Sequence, residues 1–396
     1  MKTGFLRAAL LLGLLSAIGP FAIDMYLPAL PSIGHSLDTS IGAVQASLMV
    51  YFLATGIGQL VYGPLSDQVG RKPPLYFGLA LFAVGSVGCA LAPDIRTLVA
   101  MRFLQGLGAC ACTVVPRAVV RDLYSGHDAL RLMSLLMLVF SVSPILAPLV
   151  GSLLIDWQGW RSVFWAMTAT AAVGLLLVAT RLQETRPAAA RHGSSWRSAL
   201  AGYATLLRDR HYLGLVGIGA FGIASFFAYL ANSSFVLINH YGLSPRQYSI
   251  VFAINAAAFI AMSQLTSRLG RRFGMAPMVR AAASAYAGFM LLLLLLFALG
   301  VERLEVLLVL LFLGYGCLGL VMPTTAVLAL ESHAAIAGTA SALMGTLQFA
   351  TGAAVMALVG LFVDGTALPM IAGIAGSALM AFVMVRATLA PSRHGR

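Results

Sequence analysis

Apolar and polar positions divide this chain into long blocks. Twelve apolar stretches of about 20 residues are each long enough to cross a bilayer as a helix. They lie near 5–30, 41–63, 74–92, 96–120, 130–154, 162–182, 211–238, 246–267, 275–299, 304–329, 338–362 and 368–387. The longest polar stretch, Glu184 to His211 ("ETRPAAARHGSSWRSALAGYATLLRDRH"), separates six spans from six. The predicted fold class is therefore all-α and integral to a membrane, with twelve transmembrane helices in two six-helix halves. An N-terminal bundle is expected over 1–182, a linker over 183–210 and a C-terminal bundle over 211–396. Part of the linker reads either as a short basic helix on the membrane surface or as a plain connection.

Composition agrees with the pattern. Hydrophobic residues make up 60% of the 396 and charged residues 10%, whereas a soluble domain carries about 25% charged residues. The start, "MKTGFLRAALLLGLLSA", resembles a signal peptide, but no small-x-small cleavage site follows and more spans come after. It reads as an uncleaved first helix. The net charge of +12 would suggest nucleic acid in a soluble protein; its distribution here points to topology instead. With the N-terminus inside, cytoplasmic loops, tails and the adjoining span ends hold 19 of the 25 Lys and Arg, the other side holds Arg96, Arg161, Arg246 and Arg303, and Arg102 and Arg117 fall within span four. That asymmetry predicts cytoplasmic termini.

Several chemistries find no support. Cys89, Cys110, Cys112 and Cys317 lie in apolar spans without a C-x-x-C and read as packing residues. The histidines occupy loops, tails and span ends, so no metal or haem site is expected, and no P-loop is present. No catalytic constellation appears; an integral-membrane enzyme would need acids or a His-based site clustered near one interface.

The halves echo each other at an offset of 200: "GPFAI" (19–23) matches "GAFGI" (219–223), and "SDQVGRK" (66–72) matches "TSRLGRR" (266–272). A parallel repeat of six spans is a design of secondary transporters, with the site between the halves. The acids do not repeat. Asp24 aligns with Ala224, and Asp67 with Ser267, which places proton chemistry in the first half and substrate contacts mainly in the second. Asp24 is the one ionisable residue between Arg7 and His35, at a depth where an ion costs roughly 2.5–3.5 kcal/mol on an insertion scale.

Between spans two and three runs "GPLSDQVGRK" (63–72). Gly63 and Pro64 are expected to break the helix, Asp67 to bond exposed amides at a helix end, and Gly70 to allow a tight turn. The order G-x-L-x-D-x-x-G-R-K closely resembles the signature loop of the major facilitator superfamily. "DMYLPALP" (24–31), "MRFLQGLGA" (101–109), "VRDLY" (120–124) and "AGTASAL" (337–343) resemble one branch of it, the Bcr/CflA-type drug:proton antiporters, along nearly the whole chain. The resemblance implies export of drugs of the bicyclomycin, phenicol or sulfonamide type in exchange for protons across the bacterial inner membrane. It also implies a gating latch, in which Asp67 caps the helix beginning near Gly338 and Arg71 pairs with Asp122. In the family the span-one Asp and span-four Arg face the central cavity, here Asp24 and Arg102, with Gln105 on the face of Arg102 as a hydrogen-bond relay. Burial disfavours a charged carboxylate and a neighbouring guanidinium favours it, so drug and proton would compete at one site. Some related antiporters carry a second acid where this chain has Ser16. A single acid implies one proton per cycle and a preference for neutral drugs.

Span five contains "SVSPILAPLVGS" (141–152), which loosely resembles the superfamily's antiporter signature. Pro144 and Pro148 bend the helix, while Ala147 and Gly151 permit close packing. A drug cavity needs apolar and aromatic walls with a few polar groups. Candidates in the first half are Met25, Tyr26 and Tyr51. In the second they are Phe226, Tyr229, Asn232, Phe235, Asn255, Tyr315 and Gln348. Expected partners are small drugs, protons and membrane lipid, with no nucleic acid, no cofactor beyond the coupling proton and a monomeric state. Proton-coupled nutrient uptake is the alternative transporter reading.

Overall fold

The computed structural model describes residues 2–187, 196–333 and 336–389. These residues are helical in the main, with no strand among them. The first span is broken: α1 (Lys2–Asp24) leads through a 3-10 turn (Leu27–Ala29) into α2 (Leu30–Ser36). Then follow α3 (Ile41–Val69), α4 (Lys72–Ala90), α5 (Ile95–Leu123), α6 (Gly126–Gln158), α7 (Arg161–Thr180) and α8 (Trp196–Arg208). The second half holds α9 (Arg210–Ser234), which continues as a π turn (Phe235–His240), then α10 (Pro245–Phe273), α11 (Met275–Ala298), α12 (Leu304–Glu331), α13 (Ala337–Gly360) and α14 (Leu368–Thr388). Twelve spans among the described residues are long and apolar enough to cross a membrane, and the chain is a multi-pass membrane protein. Large apolar side chains such as Leu10, Phe77, Val84, Leu176 and Leu295 point outward. Such exposure suits a surface solvated by lipid rather than water.

Chain packing resolves two compact units, one of Met1–Ala201 with Ser244–Ile250 and one of Gly202–Leu243 with Val251–Arg396. Within the first, α1 packs on α5, α6 and α7, and α4 packs on α5 and α7. Within the second, α9 packs on α12, α13 and α14, and α11 packs on α12 and α14. Each of these packings has its counterpart in the other half, so this part of the pseudo-symmetry is structural as well as sequential.

The matched loops, however, are not equivalent. Gly70 ends α3 with φ 99°, a conformation costly for any side chain. Its sequence match, Gly270, lies inside α10, and the corresponding turn falls at Gly274, φ 83°. Nor do Gly63 and Pro64 break the helix as expected, because α3 continues through Pro64 to Val69. A proline in a helix interior removes one N–H and bends the ladder without ending it when packing holds both sides. Here Ser66 Oγ also donates to the Gly63 carbonyl at 2.9 Å.

Candidate functional site

Asp24 is the last residue of α1, and the reason is local. Pro28, four residues on, has no N–H to offer the Asp24 carbonyl, and Pro31 repeats the deficit for Leu27. The backbone tightens through Tyr26 N to Ile23 O and Ala29 N to Tyr26 O before α2 resumes. The carboxylate at this break is 5% exposed. Ser143 Oγ, on α6, donates to its Oδ2 at 3.0 Å. α6 comes this close because position 151 carries no side chain: a Cβ on Gly151 would strike the Met25 backbone carbonyl. Pro144 and Pro148 lie inside an α6 that runs unbroken past the site, with Ala147 and Pro148 buried.

Arg102, on α5, is wholly buried. Its guanidinium is stacked between two rings, 4.3 Å from the centroid of Tyr26 and 4.2 Å from that of Tyr51. A desolvated cation–π contact contributes about 2 kcal/mol, so the pair of rings offsets part of the cost of the buried charge. Nη1 donates to Gln105 Oε1 at 2.5 Å and to the Ala22 carbonyl at 3.4 Å, while Nε and Nη2 are buried without a hydrogen-bond partner. Gln105 Nε2 passes the network on to Ser86 Oγ at 2.7 Å. Tyr26 and Ser47 share a hydrogen bond of 2.6 Å, and Tyr51 donates to the Gly19 carbonyl at 3.2 Å. The structure thus joins Arg102 to Gln105. It does not pair Arg102 with Asp24, and no ion pair among the described residues includes either of them. Tyr26 and Tyr51, read from the sequence as pocket wall, have faces occupied by the guanidinium. Met25 is buried at the break.

At the other end of α3 the polar turn forms a denser cluster. Arg71 is 3% exposed and grips Asp122 with two bonds, Nε to Oδ2 at 2.7 Å and Nη2 to Oδ1 at 3.1 Å. Its Nη1 donates to Asp67 and to Ser66 Oγ, each at 2.8 Å. Burial works against the Arg71 charge, yet Asp122 and Asp67 raise the guanidinium above its ordinary range. The sequence reading missed a third acid. Glu184 accepts from the backbone N–H of Arg71 at 2.8 Å and of Lys72 at 3.1 Å. The cause lies in "KPP": Pro73 and Pro74 have no N–H, so a carboxylate at the start of α4 can satisfy the donors that remain there. Thr185 Oγ1 donates to Asp122 at 2.9 Å, and Arg186 Nε donates to the Asp67 carbonyl at 2.8 Å. "ETR" at 184–186, assigned to the linker, is part of the turn. A Glu and an Arg just past a span were the available signal. Gly338 lies at the start of α13 in the second unit.

In the second unit an aromatic group gathers near Asn255. Tyr229 stacks on Phe252 with centroids 5.8 Å apart, and Tyr315 lies 5.4 Å from Tyr229 and 5.8 Å from Phe226. Asn255 Nδ2 donates to the Tyr229 hydroxyl at 3.2 Å. Asn232 Nδ2 donates to the Ala228 carbonyl at 2.8 Å, and buried Phe235 opens the π turn. Gln348 Nε2 lies 2.8 Å from where a Cβ on Gly219 would be. The structure therefore brings together Phe226, Tyr229, Asn255 and Tyr315 from the expected second-half set.

Comparison with known proteins adds a family. The sequence model of the Major Facilitator Superfamily matches residues 12–357. A Bacillus subtilis (strain 168) protein named uncharacterized MFS-type transporter YdgK is 39% identical over 368 residues, covering 92% of this chain and 91% of its own. The bicyclomycin resistance protein homolog of Haemophilus influenzae is 30% identical over 364 residues, covering 91% of both. Among solved structures, a D-xylose-proton symporter superposes with a TM-score of 0.73 at 18% identity, over 96% of this chain and 97% of the other. At that identity the likeness concerns the fold alone.

Proposed function

Because the chain belongs to the Major Facilitator Superfamily, we propose that it is a proton-coupled antiporter that exports small drug-type molecules across the bacterial inner membrane by alternating access, and that it catalyses no chemical conversion. The observation that carries this reading is Asp24: a carboxylate at a helix break, deeply buried, held by one serine hydroxyl and ion-paired with no described residue. Such a group can hold a proton in one state and release it in another, which a permanently paired carboxylate does less readily. Arg102 reaches the same stretch of α1 through the Ala22 carbonyl and the Tyr26 ring, and it is held by Tyr26, Tyr51 and Gln105 with two N–H edges unspent. A substrate acceptor or the Asp24 carboxylate could occupy those edges in turn.

Support for the drug class comes from the bicyclomycin-resistance relative and from the aromatic group around Asn255, which offers apolar faces with one amide. Phenicol, bicyclomycin or sulfonamide-type molecules suit that chemistry. The turn at Asp67, Arg71, Asp122 and Glu184 serves as the latch of the alternating cycle. Both termini lie in the cytoplasm, as the arginine distribution predicts, and the monomer is the working unit. The organisation into bundles over 1–182 and 211–396 is the one this mechanism uses.

The test is phenicol transport in proteoliposomes under an imposed pH gradient. Drug should move against protons in the wild type, and Asp24→Asn should abolish gradient-driven movement. Equal movement in both would refute the proton role of Asp24, and drug moving with protons would make the protein a symporter.

A further inference from the structure

Helix α8 (Trp196–Arg208) belongs neither to the twelve spans nor to the latch, and its faces differ sharply. Trp196, Leu200 and Leu207 are 40%, 62% and 51% exposed. At about 100° per residue these three fall within roughly 40° of one another. Arg197 and Arg208, both exposed, share a second stripe roughly 80° further round. The opposite flank is the packed one: Ala199 and Leu206 are buried, and a Cβ on Gly202 would come within 3.1 Å of the Thr339 methyl.

Position supplies the second observation. α8 ends one residue before span seven begins, at Asp209, whose carboxylate accepts from the N–H of His211 and Tyr212 and pairs with His333 at 3.2 Å. His333 follows the end of α12, and Thr339 opens α13. The helix therefore lies beside the ends of three spans, the level at which a bilayer's headgroups are expected. No ion pair among the described residues includes Arg197 or Arg208.

We propose that α8 is a membrane-surface helix that binds anionic phospholipid headgroups, with Arg197 and Arg208 on the phosphates and Trp196, Leu200 and Leu207 in the adjacent acyl region. Two arginines beside an apolar stripe match the charge and polarity gradient of an anionic leaflet. A stable protein partner needs about 1,000 Å² or more of buried surface, which a stripe of three side chains does not supply. By binding there, lipid charge pins the segment that connects the two halves.

The test uses the full chain in nanodiscs of phosphatidylethanolamine alone or with phosphatidylglycerol. Spin labels are placed at Leu200→Cys and at Ala201→Cys, in a background lacking the four native cysteines. The label at 200 should collide with oxygen and be shielded from a nickel chelate, and the label at 201 should meet the chelate. Native mass spectrometry should show phosphatidylglycerol retained over phosphatidylethanolamine, the preference falling roughly fivefold for each of Arg197→Gln and Arg208→Gln. Arg→Lys at both positions should keep it. Chelate access at 200 equal to that at 201 would overturn the proposal, as would a preference unchanged in the Gln variants. A label at 200 shielded from both reagents would mean that protein covers the stripe, and would overturn it too.

Discussion

Replacing Arg71 with lysine keeps the charge and removes the fork. The native guanidinium spends two donors on Asp122, which is 15% exposed, and a third on Asp67, which is 43% exposed. Hydrogen bonds to charged groups contribute about 1.5–3 kcal/mol each when shielded from water. The Asp67 pair, half in solvent, merits no more than about 1 kcal/mol. A lysine ammonium can retain one Asp122 bond at most in this geometry, so Arg71→Lys should lose about 2–3 kcal/mol. If the latch exists in one end state of the cycle only, that loss shifts the inward-to-outward ratio by roughly 30- to 150-fold. Spin-label pairs across each end of the bundle, read by pulsed distance measurement, report that ratio, and melting in detergent reports stability. A shifted ratio is the expected result, with Asp67→Ala shifting it less. A lower melting temperature with an unchanged ratio would make the turn a static brace. If neither changes, the bond energies assigned here are wrong.

Four further outcomes are expected. Glu184→Gln keeps the shape but weakens the charge-assisted bonds to Arg71 and Lys72 N–H; it should lower thermal stability by about 1 kcal/mol and shift the ratio in the same direction as Arg71→Lys. Tyr51→Phe keeps the ring over Arg102 and should transport nearly normally, whereas Tyr51→Leu, losing about 2 kcal/mol of cation–π contact, should lose drug transport in the proteoliposome assay. Gly151→Ala must push α6 away from the Met25 backbone, at a cost of about 1–3 kcal/mol in melting experiments. The Asp209 carboxyl is held below the usual carboxylate range, chiefly by the Tyr212 N–H and then by that of His211. Its stabilisation of α9 is therefore full above about pH 4 and lost as pH falls through the lowered folded value. Asp209→Asn should flatten that acid limb of a melting-versus-pH profile.

Much of this could be read from the chain. Twelve apolar blocks of bilayer length dictate twelve helices, since a backbone in hydrocarbon has to satisfy its own hydrogen bonds. The lone acid at 24 and the arginine at 102 announced themselves by their cost in such surroundings. "GPLSDQVGRK" identified its turn, and Arg71 with Asp122 was implied by the family resemblance. What the chain left open was partnership. Pro64 looks like a helix terminator and is not one, because neighbouring packing holds the helix past it. Gly270 matches Gly70 in sequence yet stays helical, since the second-half turn falls four residues later. Tyr26 and Tyr51 read as pocket walls, and nothing along the chain shows that their rings hold Arg102. Asp24 meets Ser143, 119 residues away, and Glu184 caps a helix more than a hundred residues before it. Periodicity and burial cost are properties of a segment and can be read along it. Which buried group satisfies which is decided by helices brought together from distant parts of the chain, and that choice belongs to the tertiary structure.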